Sequence, residues 1–275
     1  MLEGNIGFIG GGKMAEAIFG GLLSSGCIAP EQLYVSDLNG ARLDMLREKY
    51  RMNTVLAAGE EGNAALLDRV DVVVLAVVPQ AAAKLLEGIA PRLERRHLVV
   101  SIMGGVTLAY LESWIRENPV VRVMPNVTMQ ACAGIAGIAL GSRAAEESRR
   151  VVCDLFDAIG RTFVLPEELI DPLTGISGCG PAFAAMFVEA LADGGVAAGL
   201  PRGTAIELAA QLLVGSGKML LDQQVHPEVM KDSVCTPGGS TIAGCRALER
   251  GAFRFTVISA VEEAIGKMRE VARDA

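Results

Sequence analysis

NIGFIGGGKMA, residues 5–15, decides the fold of this 275-residue chain. Residues 5–9 are a short apolar run of strand type, and helical periodicity follows the glycines until about residue 26. Gly10, Gly12 and Ala15 occupy the small-residue positions of the G-x-G-x-x-A dinucleotide fingerprint. There the first glycine makes the turn, the second lets the backbone approach a pyrophosphate, and the third small residue lets helix and strand pack closely. The sequence therefore predicts a dinucleotide site, with a mere tight turn as the alternative.

The next strand-like run, residues 33–37, ends in an acidic residue. A carboxylate at this position can bond both ribose hydroxyls, and it repels a 2′-phosphate. Asp37 therefore favours NADH slightly over NADPH, although Ser36, Asn39 and Arg42 lie close enough to soften the repulsion. In the alternative interpretation, Asp37 only caps the predicted helix at residues 41–50.

Strand and helix patterns continue to alternate along the first half of the chain. The β-branched run at residues 70–77 is typical of a buried parallel strand. Further strands are predicted at residues 54–56, 98–102, 120–123, 135–140 and 162–165, with helices at 81–89 and 144–159. This alternation predicts an α/β Rossmann domain over residues 1–165, with a doubly wound, mostly parallel sheet. Ligands bind beyond the carboxyl ends of such strands, so one crevice is expected beside Asp37 and residues 76–79, 103–105 and 125–126.

The pattern changes near Pro166, after which no long β-branched run occurs. Helices are predicted at residues 183–195, 202–221, 227–234, 241–249 and 253–271. These segments are rich in alanine and apolar on more than one face, as in helices that bury against a second copy of themselves. We therefore expect residues 166–275 to form an all-α domain that makes a homodimer.

CTPGGSTI, residues 235–242, predicts a loop that turns into a helix. Ser240 or Thr241 is expected to cap this helix through its hydroxyl. A helix start carries unpaired N–H groups and a partial positive charge, and glycines let a small anion approach the backbone. These features predict that a small carboxylate-bearing substrate binds at residues 236–241. A helix cap with nothing bound is the alternative.

Composition narrows the class of protein. The chain is 51% hydrophobic with only 4% aromatic residues, which favours packed helices and buried parallel strands. Its net charge of −7, without a basic run, argues against a nucleic-acid partner. Apolar runs are too short to span a bilayer, and no signal peptide is visible at the start. The six scattered cysteines suit a reducing cytoplasm, and two histidines argue against a multi-histidine metal site.

Seven blocks of sequence together resemble pyrroline-5-carboxylate reductase, and they run nearly end to end. The blocks are GFIGGGKMAEAI at 7–18, LAVVPQ at 75–80, RVMPN at 122–126, DPLTGISGCGPAF at 171–183, GLPR at 199–202, HPEVMKDSV at 226–234 and TPGGSTIAG at 236–244. The resemblance implies NAD(P)H-dependent reduction of (S)-1-pyrroline-5-carboxylate to L-proline, the last step of proline biosynthesis. It also implies an interlocked dimer that commonly assembles further, often into decamers.

The resemblance implies a role for particular residues. The pyrophosphate would be held by Gly10, Gly11, Gly12, Lys13, Met14 and Ala15. Asp37 would contact the adenosine ribose, and Asn63 would touch the coenzyme. The nicotinamide side would be lined by Ala76, Val77, Val78, Pro79, Ile102, Met103 and Gly104. The substrate carboxylate would be bound by Thr236, Pro237, Gly238, Gly239, Ser240 and Thr241. The Thr241 hydroxyl would lie near the ring nitrogen, which makes it the candidate catalytic group.

Three departures from the family pattern affect how far the resemblance extends. Val78 replaces the lysine of VKP, Val127 alters PNTP, and Cys179 stands in SGSGPA. The first two departures border the predicted coenzyme site, so the coenzyme preference stays open. They also leave open the alternative that the chain reduces another cyclic imine carboxylate. A β-hydroxyacid dehydrogenase is a further alternative, but its G-x-x-x-K lysine has no convincing counterpart here. The last alternative is a non-catalytic NAD(P)-binding sensor, and the intact loop at 236–241 argues against it.

Overall fold

A computed structural model describes residues 4–57 and 62–274. The first three residues, on which the expectation of no signal peptide partly depends, lie outside the described residues. Within the described ranges, one sheet has the strand order β3-β2-β1-β4-β5-β6-β7-β8. Its strands are β1 Ile6–Ile9, β2 Leu33–Asp37, β3 Asn53–Leu56, β4 Val72–Leu75, β5 Leu98–Ser101, β6 Val120–Pro125, β7 Gly134–Leu140 and β8 Gly160–Val164.

All neighbouring strands are parallel except β6 and β7, which pair antiparallel. The helices that accompany the sheet are α1 Lys13–Ser24, α2 Gly40–Tyr50, α3 Gly62–Leu67, α4 Ala82–Ile89, α5 Leu108–Trp114, α6 Glu146–Asp157 and α7 Ile170–Ser177. The later helices are α8 Gly180–Ala197, α9 Arg202–Gln223, α10 Pro227–Ser233, α11 Ser240–Arg250 and α12 Phe253–Asp274. The predicted fold class, an α/β Rossmann sheet followed by an all-α part, is confirmed.

Each predicted strand is present, but three helices of six to eight residues were missed: α3, α5 and α7. Short helices provide few turns over which a periodic pattern can be read. The signal for α5 was its cap, because the Thr107 side chain accepts a hydrogen bond from the Tyr110 N–H at 3.2 Å.

Helices cover both faces of the sheet, and each face has its own apolar core. Phe8 packs in the core that includes residues of α1, α2 and α6, whereas Ile9 packs in the core that includes residues of α3, α4 and α5. Successive residues of a strand point to opposite faces, so a single short strand supports both cores. Because β1 lies between β2 and β4 in the sheet, the loop after it is flanked by the carboxyl ends of both neighbours.

A buried cation ties β6 to its neighbours. Arg122 is 4% exposed, and its Nη1 donates to a Glu167 carboxylate oxygen at 2.8 Å. The same oxygen accepts a hydrogen bond from the Leu108 N–H at 2.7 Å, at the first residue of α5. A buried charge needs such a partner to offset its desolvation. Glu167 therefore links the start of α5 to β6.

The chain divides into two compact units, Met1–Gly178 with Ile265–Ala275, and Cys179–Ala264. In the second unit α8 packs along α9, where Gly195 lies close to the Ala205 side chain and to Leu200. The sheet ends at Val164. The division into domains 1–165 and 166–275 stays a prediction.

The helices of the second half leave much apolar surface uncovered within one chain. Large exposed side chains include Met186, Leu212, Val214, Phe255 and Ile258. The segments Glu167–Ala197 and Arg202–Gln223 are long and apolar enough to cross a bilayer by length and composition, and an 18-residue apolar stretch in each is only 17% and 11% buried. Counting unbroken apolar runs missed both segments, because small and polar residues interrupt them. Exposed apolar surface of this extent is typical of a protein–protein or membrane interaction site.

Candidate coenzyme and substrate sites

The first glycine of the loop after β1 holds a position that no other residue fits. Gly10 has φ +107°, and a Cβ placed on it would lie 2.5 Å from the Ala76 carbonyl oxygen. Its N–H donates to the Ser36 carbonyl oxygen at 2.8 Å. The turn is thus fixed between the ends of β2 and β4, which requires both the positive φ and the missing side chain.

Gly12 is open where Gly10 is crowded. A Cβ on Gly12 would meet no atom within 4 Å, and its φ is −68°. Gly12 is the N-cap of α1, and no side chain bonds the first-turn amides there. Lys13 is exposed beside it, whereas Ala15 is buried against the core. An uncapped helix start next to open space fits a pyrophosphate, which is the group the fingerprint predicts.

Asp37 lies beside this loop. One of its carboxylate oxygens accepts the Gly11 N–H at 2.8 Å, and the other accepts the Asn39 N–H at 2.9 Å. The alternative role of Asp37 as the cap of α2 is wrong, because Asn39 accepts the Arg42 N–H at 3.2 Å and is the N-cap. Each carboxylate oxygen still has a lone pair free to accept a ribose hydroxyl.

Two polar residues close to Asp37 have partners inside the fold. Ser36 is fully buried and donates its hydroxyl to the Asn63 side-chain oxygen at 2.9 Å. This bond joins β2 to α3. Ser36 therefore offers no donor to a 2′-phosphate, and Asn63 has a structural bond in addition to its predicted contact with the coenzyme.

Sequence reasoning missed Glu16, which holds the Arg42 side chain beside the loop. Arg42 donates from Nε to the Gly11 carbonyl oxygen at 2.7 Å and from Nη2 to Glu16 at 2.5 Å. The other Glu16 oxygen accepts from Lys49 Nζ at 2.8 Å and from the Tyr50 hydroxyl at 2.9 Å. Only the folded packing of α1 against α2 brings these groups together, because no local spacing connects them.

The ionisation of Glu16 follows from these partners. Its partial burial by itself raises the pKa of a carboxyl group, but the hydrogen bonds from Lys49, Arg42 and Tyr50 outweigh that effect and lower the pKa of Glu16 to about 2. Glu16 is therefore a carboxylate throughout the neutral range.

The predicted nicotinamide segments follow β4 and β5. Val78 is 65% exposed, and Pro79 starts a 3-10 turn. Ile102 and Met103 are buried in the core, whereas Gly104 is exposed. Because β1, β2, β4 and β5 are parallel, their carboxyl ends lie at one edge of the sheet.

Asn126 was expected to face the same crevice, but its side chain is 4% exposed. Its Nδ2 donates to the Ser177 carbonyl oxygen at 2.9 Å. Its Oδ1 accepts from the Ile135 N–H at 3.0 Å and the Thr128 hydroxyl at 2.8 Å. Asn126 therefore ties the end of β6 to β7 and α7.

In the other unit, residues 236–239 form a tight turn that leads into α11. The Gly239 N–H donates to the Thr236 carbonyl oxygen at 3.0 Å, and Gly238 has φ +70°. Proline at the second position and a positive-φ glycine at the third are the signature of a type II turn. The expectation that Ser240 or Thr241 caps α11 is wrong, because Gly239 is the N-cap and no side chain bonds the first turn. Because glycine has no side chain to bond the first turn, the backbone N–H groups at the start of α11 stay free to bind an anion.

Two thiols flank this loop. Desolvation and a hydrogen bond to Cys245 raise the pKa of the Cys235 thiol, because both favour its protonated form. A thiol with a raised pKa stays protonated near neutral pH, so Cys235 is not an activated nucleophile. Among the described residues, no group of three or more His, Cys, Asp or Glu side chains could hold a metal ion.

Comparison with known proteins finds one family model in each half of the chain and relatives that match nearly its whole length. A family model described as pyrroline-5-carboxylate reductase dimerisation matches residues 167–271, and one described as NADP oxidoreductase coenzyme F420-dependent matches residues 5–105. A pyrroline-5-carboxylate reductase of Arabidopsis thaliana is 39% identical over 98% of this chain and 95% of its own length. The chain belongs to the pyrroline-5-carboxylate reductase family.

Further members of this family agree in sequence and fold. The pyrroline-5-carboxylate reductase of Escherichia coli K12 is 36% identical over 99% of this chain and all of its own. A crystal structure of a Plasmodium falciparum pyrroline carboxylate reductase with NADP bound superposes with a TM-score of 0.85, at 30% identity and 99% coverage of both chains. The resemblance drawn from the seven sequence blocks is confirmed. The roles of single residues within the pyrroline-5-carboxylate reductase family pattern stay predictions for this chain.

Proposed function

We propose that this chain reduces (S)-1-pyrroline-5-carboxylate to L-proline with NAD(P)H, the last step of proline biosynthesis. The observation that carries the proposal is near full-length identity, 36–39%, to several pyrroline-5-carboxylate reductases. Two features of the chain support it independently: an open glycine loop suited to a pyrophosphate, and an uncapped helix start suited to a carboxylate.

The coenzyme is assigned to the carboxyl edge of the Rossmann sheet. NAD(P)H, when bound, supplies the hydride. The loop residues Gly10 to Ala15 hold the pyrophosphate against the start of α1, and Asp37 accepts hydrogen bonds from the adenosine ribose. Asn63 contacts the coenzyme, and the nicotinamide side is bounded by Ala76, Val77, Val78, Pro79, Ile102, Met103 and Gly104. The open space at Gly12 supports this assignment.

The substrate carboxylate is assigned to residues 236–241. The free amides at the start of α11 bind it, since they carry the positive end of the helix dipole. The imine of the substrate is basic enough to enter already protonated, so its carbon accepts hydride while its nitrogen keeps the proton. The Thr241 hydroxyl positions the ring nitrogen. The exposure of Thr236 and Thr241 in the single chain supports this role.

Both histidines make structural hydrogen bonds within the fold. His97 is 1% exposed, with Nδ1 accepting the Glu94 N–H at 2.8 Å and Nε2 3.0 Å from the Leu67 carbonyl oxygen. His226 caps α10 by accepting the Glu228 N–H. The rate is therefore expected to come from orientation of the two reactants.

The proposal also covers the domain division and the oligomeric state of the chain. We infer a Rossmann domain over residues 1–165 and a substrate-binding dimerisation domain over 166–275. The dimerisation model over residues 167–271 supports the second, as does the exposed apolar surface there. We also infer that the dimer assembles further, up to a decamer. The proposal places the protein in the cytoplasm, without nucleic-acid or membrane partners. A net charge of −7 supports the absence of a nucleic-acid partner.

The decisive experiment is a turnover assay with pyrroline-5-carboxylate, run in parallel with NADH and NADPH and followed by the absorbance of the reduced nicotinamide. Oxidation of either coenzyme at a rate that depends on the substrate supports the proposal. Coenzyme binding without turnover of this substrate contradicts it, and points to another cyclic imine carboxylate or to a sensor.

A further inference from the structure

The choice between NADH and NADPH depends on which charged groups face the adenosine ribose. Residues 37–42, DLNGAR, connect β2 to α2 and contain a single cation, Arg42. A 2′-phosphate carries about −1.5 to −2 charges near neutral pH, so it needs a cation at this turn. The position of the Arg42 guanidinium is therefore the relevant observation.

The Arg42 guanidinium is directed at α1 and the glycine loop. Its Nε bonds the Gly11 carbonyl oxygen at 2.7 Å, and its Nη2 bonds Glu16 at 2.5 Å. Both side chains of this ion pair are largely buried, at 22% and 18% exposed. Breaking such a pair leaves one partly buried charge without its partner, which opposes release of Arg42 to a ligand.

With Arg42 directed at α1, the charged side chain that remains at the end of β2 is Asp37. Its carboxylate bonds the Gly11 N–H at 2.8 Å, on the same residue whose carbonyl Arg42 bonds. The charge of Glu16 is met by Arg42 and Lys49, whereas among the described residues Asp37 has only backbone N–H partners, so its negative charge faces the ribose position. This arrangement accepts ribose hydroxyls and repels a phosphate.

We propose that Glu16 sets the coenzyme preference of this chain toward NADH, because it retains Arg42 and leaves Asp37 to meet the ribose. Glu16 is a positioning residue in this scheme and touches neither substrate nor coenzyme. The inference rests on the proposed coenzyme function. It predicts that removal of Glu16 frees Arg42 to bind a 2′-phosphate.

The test is titration calorimetry of NAD⁺ and NADP⁺ binding to the full chain, in parallel with the turnover assay. We expect the native chain to bind NAD⁺ more tightly, and Glu16→Ala to improve NADP⁺ binding relative to NAD⁺ by roughly tenfold or more, the size of a charge-assisted hydrogen bond to phosphate. Glu16→Gln keeps a hydrogen-bond acceptor for Arg42 and should give a smaller gain. Lys49→Gln, which removes another partner of Glu16 but not its bond to Arg42, should leave the ratio unchanged.

The double variant Glu16→Ala/Arg42→Gln separates release of Arg42 from a simple change of charge. The gain in NADP⁺ affinity should disappear in it. An unchanged ratio of NADP⁺ to NAD⁺ affinity in Glu16→Ala, or a gain that persists without Arg42, would overturn the inference. If the chain still turns over pyrroline-5-carboxylate, the proposed function stands. Conversely, the expected affinity pattern in a chain that never oxidises NADH or NADPH with pyrroline-5-carboxylate supports the inference and rejects the proposed function.

Discussion

At the residue scale, two glycines of one loop serve different purposes. A side chain at Gly10 would collide with the Ala76 carbonyl oxygen and would have to adopt φ +107°, whereas a side chain at Gly12 meets no protein atom and φ there is ordinary. The fold therefore requires glycine at position 10 but not at position 12, where the predicted reason for glycine is the approach of a pyrophosphate.

Substitution of each glycine by alanine separates these demands. We expect Gly10→Ala to lower the free energy of unfolding by about 1–3 kcal/mol, the usual range for a strained backbone position. Gly12→Ala should change it by less than about 0.5 kcal/mol while weakening NAD(P)H binding by roughly tenfold. Thermal unfolding and coenzyme titration measure the two effects. The control for coenzyme binding is Gly88→Ala on the exposed side of α4, where a Cβ would also meet no atom within 4 Å. Gly104 has equally open surroundings, but it lies in a predicted nicotinamide segment and is therefore unsuitable as a control.

Thr241 is the residue on which the proposed substrate chemistry depends. We expect Thr241→Ala to lower kcat/KM by roughly ten- to a thousandfold, because a positioned hydrogen bond in the transition state is lost. Thr241→Ser keeps the hydroxyl and should retain most of the activity. Steady-state kinetics with pyrroline-5-carboxylate measure both variants. Equal activity of Thr241→Ala and the native chain would remove Thr241 from the mechanism.

At the element scale, α1 and α2 are joined by a charged cluster around Glu16. Its pKa of about 2 lies below the ordinary value of 4.5. A carboxyl group with a depressed pKa in the folded state contributes stability that is fully present above its unfolded pKa and is lost as the pH falls toward its folded pKa. The cluster should therefore weaken between about pH 4.5 and pH 2.

The variant Glu16→Gln tests this contribution. We expect it to lower the free energy of unfolding at pH 7 by about 1–3 kcal/mol, since hydrogen bonds to a charged group are lost. Its stability should also fall less steeply than that of the native chain between pH 4.5 and pH 2. Thermal midpoints at fixed protein concentration across this range give the comparison, with Glu48→Gln on the exposed face of α2 as the control. Parallel pH profiles for the native chain and Glu16→Gln would contradict the assigned pKa.

At the scale of the whole molecule, the apolar surface of the second half is the dominant feature. Met186 on α8 is 69% exposed and Phe255 on α12 is 72% exposed. Surface of this kind in the segment matched by the dimerisation model is expected to be buried between two copies. The helical segment expected to form the dimer therefore also contains the predicted substrate loop at residues 236–241.

The native chain should be at least a dimer by light scattering, with a mass that does not change with micromolar dilution. We expect Met186→Glu or Phe255→Glu to raise the dissociation constant of the dimer by roughly thirtyfold or more, because a charge enters an apolar interface. Lys84→Glu, at an exposed position of α4, should leave the mass unchanged. A monomeric native chain at these concentrations would reject the dimer.

The sequence by itself determined the elements that depend on local chemistry. Strand β1, the turn at Gly10 and helix α1 could be predicted because periodicity and glycine positions are read within a dozen residues. The type II turn at residues 236–239 belongs to the same class, since Pro237 and Gly238 impose its dihedral angles. The family assignment followed from blocks of this local kind spread along the whole chain.

Tertiary structure decided what depends on residues far apart in the chain. It placed Glu16 against Arg42, 26 residues later, and directed Asn126 into the fold rather than toward the predicted crevice. It also made Gly239 the cap of α11 in place of Ser240 or Thr241. Local patterns specify backbone conformation, because dihedral preferences and turn chemistry act between near neighbours. The partner of a charged or polar side chain is fixed only when packing brings distant elements together, so neither the Glu16 cluster nor the Asn126 network had a sequence signal.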